Sequence, residues 1–153
     1  MIRARAVLTD AKLALDMLED ERDPDKFRVL WVASMSLLRA VGHVLHKVDA
    51  ESNSRLSDAV ASAFSSWKNN RHAHAIFWDF IEEERNNVLK QYELGFFGDP
   101  VDLNVDGQIY TLGENLFCPM VDGPFAGEDC RDVFQAAIAW WDDQLADIEK
   151  LGT

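Results

Sequence analysis

The sequence is poor in cysteine, proline and basic residues. Its 153 residues include two Cys, four Pro and 15 Lys or Arg, against 27 Asp or Glu, which gives a formal net charge of −12. Nucleic-acid affinity rests on the neutralisation of phosphates by Lys and Arg, so an acidic surface repels a polynucleotide. This balance argues against a dedicated DNA-binding module and against docking onto anionic membranes. A local basic pocket stays compatible with it.

Long hydrophobic runs and the common catalytic motifs are also missing. No stretch of about 18 apolar residues predicts a membrane span, and residues 1–10 lack the apolar core of a secretion signal. Cys118 and Cys130 match no zinc spacing, and cytosolic thiols stay reduced. The hydrolase elbow, the phosphate-binding Gly-rich loop and the dinucleotide fingerprint are absent. We expect a cytoplasmic protein with no metal, no cofactor and no membrane contact.

What the sequence does contain is a globular composition with heavy aromatic side chains. Apolar residues make up 48% of the chain and include five Trp and nine Phe. A chain of this length can bury a core of its own. Residues 1–153 are therefore predicted to form a single domain, in which a few large rings hold long helices together.

Apolar residues recur at helical spacing in five segments. Asp23 and Pro24 form a helix-start signal, with Asp23 as the cap and Pro24 in the first turn. The predicted helices cover about 2–21, 24–48, 54–67, 72–94 and 129–151. Gly42 interrupts the second helix and indicates a close helix crossing.

Between the last two helices the pattern changes to that of a β-hairpin at about 100–113. Residues 101–105 alternate, Asp106-Gly107 is a two-residue turn signal, and 108–112 form the return strand. This register places Val101, Leu103, Tyr110 and Leu112 on one face, which we expect to lie on the helices because an isolated hairpin is marginally stable. The predicted fold is mainly α, an antiparallel four- to five-helix bundle with a small β-hairpin before the last helix.

The fourth predicted helix carries polar residues on its apolar side. At 100° per residue, its buried stripe is formed by Ile76, Phe77, Phe80, Ile81 and Val88. Glu84, Asn87 and Gln91 fall inside that same stripe, and burying such groups without partners costs about 1–3 kcal/mol each. Either the helix end emerges from the core at this point, or these residues line a polar pocket.

Arg85, Leu89 and Tyr92 share a neighbouring face of this helix. Arg85 is therefore expected at the edge of the core. There its planar guanidinium can bind a carboxylate or a phosphate, or it can form an ordinary salt bridge with a nearby acid. Both interpretations stay open on the residues alone.

The segment from Arg85 to Tyr92, late in a long helix of a helical domain, resembles the signature of the HEPN superfamily. That signature is an Arg, a polar residue, and a His four to six residues after the Arg. One toxin subfamily adds a Tyr two residues after the His. Arg85, Asn86 and Tyr92 match this spacing, and Lys90 stands where the His would be.

The resemblance implies a prokaryotic defence or toxin–antitoxin protein. In the family, Arg and His from two protomers meet in a dimer cleft and cleave RNA without a metal. An ordinary Lys stays charged near neutral pH, so Lys90 can attract phosphate but cannot replace a His in proton transfer. The resemblance therefore implies a homodimer that binds RNA or a nucleotide without efficient cleavage, and it leaves open whether the protein is an enzyme. Arg85, Asn86, Lys90 and Tyr92 would line the cleft, with Glu84, Asn87 and Gln91 as supporting polar groups.

Other features support a second class of function, a non-catalytic interaction protein. Trp140 lies off the main apolar stripe of the last helix, so either the hairpin covers it or it marks a partner surface. The hairpin and the last helix would then form the surface for a protein partner. Trp67 with Lys68, Arg71, His72 and His74 could hold single-stranded nucleic acid or serve as a solvated connector.

Overall fold

Five helical regions and one β-hairpin follow one another along the chain. The computed structural model describes residues 1–113 and 115–152, and only the backbone at position 101. The first three helices are α1 (Ala4–Asp20), α2 (Pro24–Val44, continued by a π-helical turn at Leu45–Asp49) and α3 (Ser54–Asn69). Next comes α4, built from a π segment (Ile76–Glu82), an α turn (Glu83–Asn86) and a second π segment (Asn87–Gln91). Strands β1 (Val101–Val105) and β2 (Gln108–Leu112) precede α5 (Cys130–Gly152). The prediction of a mainly helical chain with a small hairpin before the last helix is confirmed.

The start of α2 forms as predicted, whereas both ends of α4 differ from the prediction. The Asp23 carboxylate accepts hydrogen bonds from the N–H groups of Asp25 and Lys26, which is the expected N-cap. The predicted helix 72–94 begins only at Ile76 and ends at Gln91. Residues 71–74 form a turn, and Tyr92 has a left-handed backbone (φ 53°) that stops the helix.

Large aromatic rings fill the space between the helices. Trp31 is fully buried and meets Phe80 and Phe134 edge to face, at centroid distances of 6.0 and 6.1 Å. Gly42 lies at a close crossing of α2 and α5, where an added Cβ would stand 3.2 Å from the Trp141 ring. The close crossing predicted at Gly42 is confirmed. α1 packs on α2 and α5, α3 packs on α5, and α4 packs on α2 and α5.

Trp140 is covered by α3 and by residues in and just before α4, and not by the hairpin. Its ring stacks on Phe77 at 5.2 Å and lies 4.8 Å from Trp67, and its Nε1 donates to His74 Nδ1 at 3.1 Å. Both interpretations of Trp140 made from the sequence are therefore wrong, since it marks neither a hairpin contact nor an exposed patch. Trp67 is fully buried, so the basic-aromatic cluster around it cannot offer that ring to a base.

The hairpin has the predicted register but not the predicted position. Leu103 pairs with Tyr110 and Val105 with Gln108 around the Asp106-Gly107 turn. Within the described residues, neither strand packs extensively on a helix. Leu103 is 41% exposed and Tyr110 54% exposed, so the expectation that this face lies on the helices is wrong. Local bonds stabilise the hairpin instead, including one from Thr111 Oγ1 to the Asp102 carboxylate at 2.6 Å.

One helix is long and apolar enough to cross a membrane by length and composition. It spans Pro24–Asp49, with a mean hydropathy of 1.3. This is weak evidence for a span, because the central helix of a soluble core has the same composition, and Phe27, Trp31 and Leu38 on this helix are fully buried within the protein. The cytoplasmic location stays a prediction.

The exposed hairpin should contribute little to global stability. We expect Tyr110→Ala to change the free energy of unfolding by less than about 0.5 kcal/mol, as is usual for surface positions. Phe77→Ala should cost about 3–5 kcal/mol, because it leaves a cavity among buried rings. Urea unfolding of the two variants provides the comparison. A loss for Tyr110→Ala similar to that for Phe77→Ala would show that the hairpin packs on the helices after all.

Candidate functional site

Glu84 is the buried polar group around which the end of α4 is organised. It is 2% exposed. Its Oε2 accepts one hydrogen bond from Trp31 Nε1 on α2 and another from the Gly95 N–H after α4, both at 2.8 Å. One carboxylate oxygen thus joins three parts of the chain. The predicted burial of Glu84 is confirmed, and the bonds show how the structure satisfies it.

Burial raises the pKa of Glu84 above its ordinary value, because the charged form loses water. Hydrogen bonds from Gly95, Trp31 and the Asn87 side chain favour the charged form and oppose this rise, and the nearby Asp122 adds to it. The burial effect is the largest. Glu84 is therefore held in place by fixed donors but remains easier to protonate than an exposed glutamate.

Next to Glu84 lies an acidic cleft of about 420 Å³ between α4 and the loop before α5. Glu84 and Asn87 form part of its wall, so the structure brings these two supporting residues together. The acids Asp79, Glu83 and Asp122 also line it, with Phe80 and Phe125 as apolar wall. Within residues 1–113 and 115–152, no group of three or more His, Cys, Asp or Glu side chains is arranged to hold a metal ion.

Gln91 does not join this wall. Its side chain is exposed, so its predicted place in the buried stripe is wrong. Gln91 is the last residue of the helix, and all residues from 89 to 93 are exposed. The helix therefore emerges from the core after Val88, which is the last residue of the buried stripe.

Arg85 follows Glu84 directly on α4 and does not line the acidic cleft; it is half-buried and next to Asn86. Its Nη1 donates to Asn86 Oδ1 at 3.0 Å, whereas its buried Nε has no hydrogen-bond partner. No ion pair to an acid involves Arg85 in the part of the chain that the structure describes. Of the two roles predicted for Arg85, the salt bridge with a nearby acid is therefore not observed among the described residues.

Lys90 and Tyr92 are both exposed near the end of α4. Tyr92 is 60% exposed, and the interaction with its side chain is the first cause of the raised pKa of the Arg28 guanidinium on α2. Arg28 also forms an ion pair with Asp25 at 3.1 Å. The structure thus adds a second guanidinium to the predicted set. Sequence spacing could not find it, because Arg28 and Tyr92 meet only through packing of α2 on α4.

The loop wall of the acidic cleft is fixed by a second polar cluster. The Asp129 carboxylate accepts from the Cys118 N–H at 2.8 Å and pairs with Arg131 at 2.8 Å. Arg131 lowers the pKa of Asp129 against the opposing effect of burial. Cys118 and Cys130 are both buried free thiols, and the Cys130 N–H donates to the Cys118 carbonyl at 2.8 Å. These bonds close the loop that carries Asp122 and Phe125.

In comparisons with known proteins, no family model, no curated protein and no solved structure matches this chain. The resemblance to the HEPN superfamily therefore rests on the segment 85–92 and its place on a long helix.

Glu84 should make stability depend on pH. Because the folded protein binds the Glu84 proton more tightly than the unfolded chain, the contribution of this group is complete below about pH 4.5. It is lost as pH rises through the raised pKa. Glu84→Gln keeps an oxygen that can accept from Trp31 and Gly95, and should flatten this dependence. Glu84→Ala should cost about 1–3 kcal/mol for each donor that it leaves unpaired.

Urea unfolding of wild type, Glu84→Gln and Glu84→Ala between pH 4 and 8 measures both effects. Glu83→Gln, an exposed neighbour on the same turn, is the matched control. Parallel stability curves for wild type and Glu84→Gln would contradict the assignment of this pH dependence to Glu84.

Proposed function

We propose that this chain is a HEPN-like protein of the prokaryotic defence or toxin–antitoxin type. In this proposal it binds RNA or a nucleotide through Arg85, Asn86, Lys90 and Tyr92 without efficient cleavage. The observation that carries the proposal is Arg85 itself, a half-buried guanidinium with an unpartnered Nε and no acid paired to it among the described residues. An antiparallel bundle arrangement of the helices belongs to the same proposal.

The chemistry of these side chains suits a phosphate ligand. A guanidinium presents planar N–H donors that bind two phosphate oxygens at once. Asn86 holds Nη1 of Arg85 at 3.0 Å and so limits the rotation of the guanidinium. Lys90 and Arg28 add positive charge near the end of α4, and the exposed ring of Tyr92 can stack on a base.

This surface lacks a side chain that is suited to proton transfer. General acid–base catalysis needs a group that titrates near the working pH, most often a His. The described histidines lie on α2 at 43 and 46 and in the turn before α4 at 72 and 74, whereas Arg85 and Lys90 lie in the second half of α4. Binding without efficient cleavage is therefore the activity that these residues support.

A second copy of the chain would complete the site. The acidic cleft beside Glu84 is not lined by Arg85, Asn86, Lys90 or Tyr92. Lys90 and Tyr92 are exposed near the 52% exposed Leu89, and Arg85 and Asn86 are half-buried. A homodimer in which these side chains of two copies face each other would form a cleft with two copies of Arg85.

Loss of Arg85 should weaken binding of a short RNA. We expect Arg85→Ala to reduce the affinity for a fluorescein-labelled single-stranded RNA about tenfold or more in 50 mM salt, since a charge-assisted phosphate contact is lost. Arg55→Ala is the matched control, because it removes the same charge from an exposed position on α3. Fluorescence anisotropy over a salt series is the measurement. Equal affinities of wild type and Arg85→Ala would reject the proposed site.

The dimer can be tested by cross-linking at Lys90. The two native thiols are buried, so a short bis-maleimide should react at an introduced Lys90→Cys thiol and join two copies of the chain. Lys68→Cys, an exposed position at the end of α3, provides the control and should give much less cross-linked dimer. Light scattering of the wild type gives the mass in solution. A monomeric mass, or equal cross-linking at both positions, would contradict the facing arrangement.

The exposed hairpin favours a second candidate function, a non-catalytic interaction protein. Leu103, Val105, Ile109 and Tyr110 are each at least 41% exposed, which is unusual for an apolar hairpin without a partner. The apolar stripe of α5 is buried in the core, so the partner surface would be the hairpin and not the hairpin together with the last helix. In this case Tyr110→Glu would abolish partner binding, and Arg85→Ala would leave it intact.

A further inference from the structure

A second cleft lies between α2 and α3, at the C-terminal end of α2. It measures about 590 Å³, which is within the usual range for small-molecule pockets. One wall is the last part of α2 with its π-helical turn, and the other is the middle of α3. None of its lining residues belongs to the surface around Arg85.

The wall from α2 carries two cationic side chains, of an arginine and a lysine, and two imidazoles. Arg39, His43, His46 and Lys47 all line the cleft, at spacings of i, i+4, i+7 and i+8, which place them on one helical face. This group of basic side chains stands out in a chain with a net charge of −12. Two acids face the group, Glu51 at the rim of the cleft and Glu82 on α4.

Arg39 is the most enclosed of these cations. Its Nε is buried and makes no hydrogen bond, and it lies 3.5 Å from the Glu82 carboxylate as a loose ion pair. Its Nη1 extends to the cleft-lining Gly42, where an added Cβ would stand 3.5 Å from it. The guanidinium is thus fixed at the cleft with hydrogen-bonding capacity left over.

The wall from α3 is mostly apolar and includes an aromatic ring. Val60, Ala61 and Phe64 line it, together with the hydroxyl-bearing Ser57. Phe64 is half-buried, and the His46 ring lies 5.9 Å from it at 58°. A flat ring entering the cleft would therefore meet Phe64 and His46, while its charged end would meet Arg39 and Lys47.

We propose that this cleft binds a small organic anion in which a phosphate is attached to a flat ring, the class to which nucleoside monophosphates belong. The cations bind the phosphate, and the apolar wall with Phe64 binds the ring. A long polyanion is disfavoured, because the cleft is small and the surrounding surface is acidic. This site is separate from the surface of the proposed function and does not depend on it.

The probe is adenosine 5′-monophosphate, titrated into the intact wild-type protein by calorimetry and by NMR. We expect saturable binding, with inorganic phosphate and adenosine each binding at least about tenfold more weakly, because each lacks one half of the recognition. Ala61 is an exposed residue of the cleft wall, so the indole of Ala61→Trp should occupy the cleft and abolish binding. Ala139→Trp, at an exposed position on α5 outside the cleft, should leave the affinity unchanged.

Charge variants test the other half of the site. Lys47→Gln should weaken binding of the monophosphate about threefold or more, and Lys68→Gln should not. Thermal unfolding of every variant confirms that it is folded. Arg85→Ala should keep the monophosphate binding that Ala61→Trp removes, which separates this cleft from the surface proposed to bind RNA or a nucleotide.

Four results would overturn the inference. The first is that the wild type shows no saturable binding, and the second is that it binds the monophosphate no more tightly than adenosine or inorganic phosphate. The third is that Ala61→Trp binds the monophosphate like wild type. The fourth is that Arg85→Ala loses binding and Ala61→Trp keeps it. The last result would assign the ligand to the surface around Arg85.

Discussion

The contact on which the end of α4 depends is the buried carboxylate of Glu84. A single oxygen accepts from the Trp31 indole and from the Gly95 backbone, so α2, α4 and the chain after α4 are held at one point. An unpaired carboxylate at this depth would be costly. With both donors in place, the bonds set the direction of the helix end and the position of its outer face. Arg85 follows Glu84 directly on this anchored part of the helix.

Acidic and basic side chains of α4 are separated from each other. Glu84 lines an acidic cleft with Asp79, Glu83 and Asp122, whereas Arg85 and Lys90 do not line it. The cleft at the end of α2 is the other place where cations gather. In a chain with a net charge of −12, the potential near each cleft depends more on these local groups of charged side chains than on the net charge. Their electrostatic influence is short-ranged, because salt screens exposed charges beyond about 8–10 Å.

Local signals predicted the elements well. The cap at Asp23, the register of the hairpin and the close crossing at Gly42 are all present, because each depends on a few neighbouring residues or on a missing side chain. The fourth helix was predicted less accurately. A helical wheel placed Glu84 correctly and Gln91 wrongly, because a wheel assigns residues to faces but does not indicate where along its length the helix leaves the core. The hairpin face was misplaced because strand alternation indicates which residues share a face but not what that face meets.

By itself, the sequence determined the identity and order of the helices and strands, the acidic charge and the polar run at the end of α4. Periodicity, caps and turns are encoded over a few residues, which is why they can be read without a structure. Only the tertiary structure decided that Trp31 and Gly95 satisfy Glu84, that Arg28 meets Tyr92, and that His43 and His46 face Phe64 across a cleft. Each of these contacts joins residues from different elements. Their distance in space depends on how the aromatic core packs the helices together.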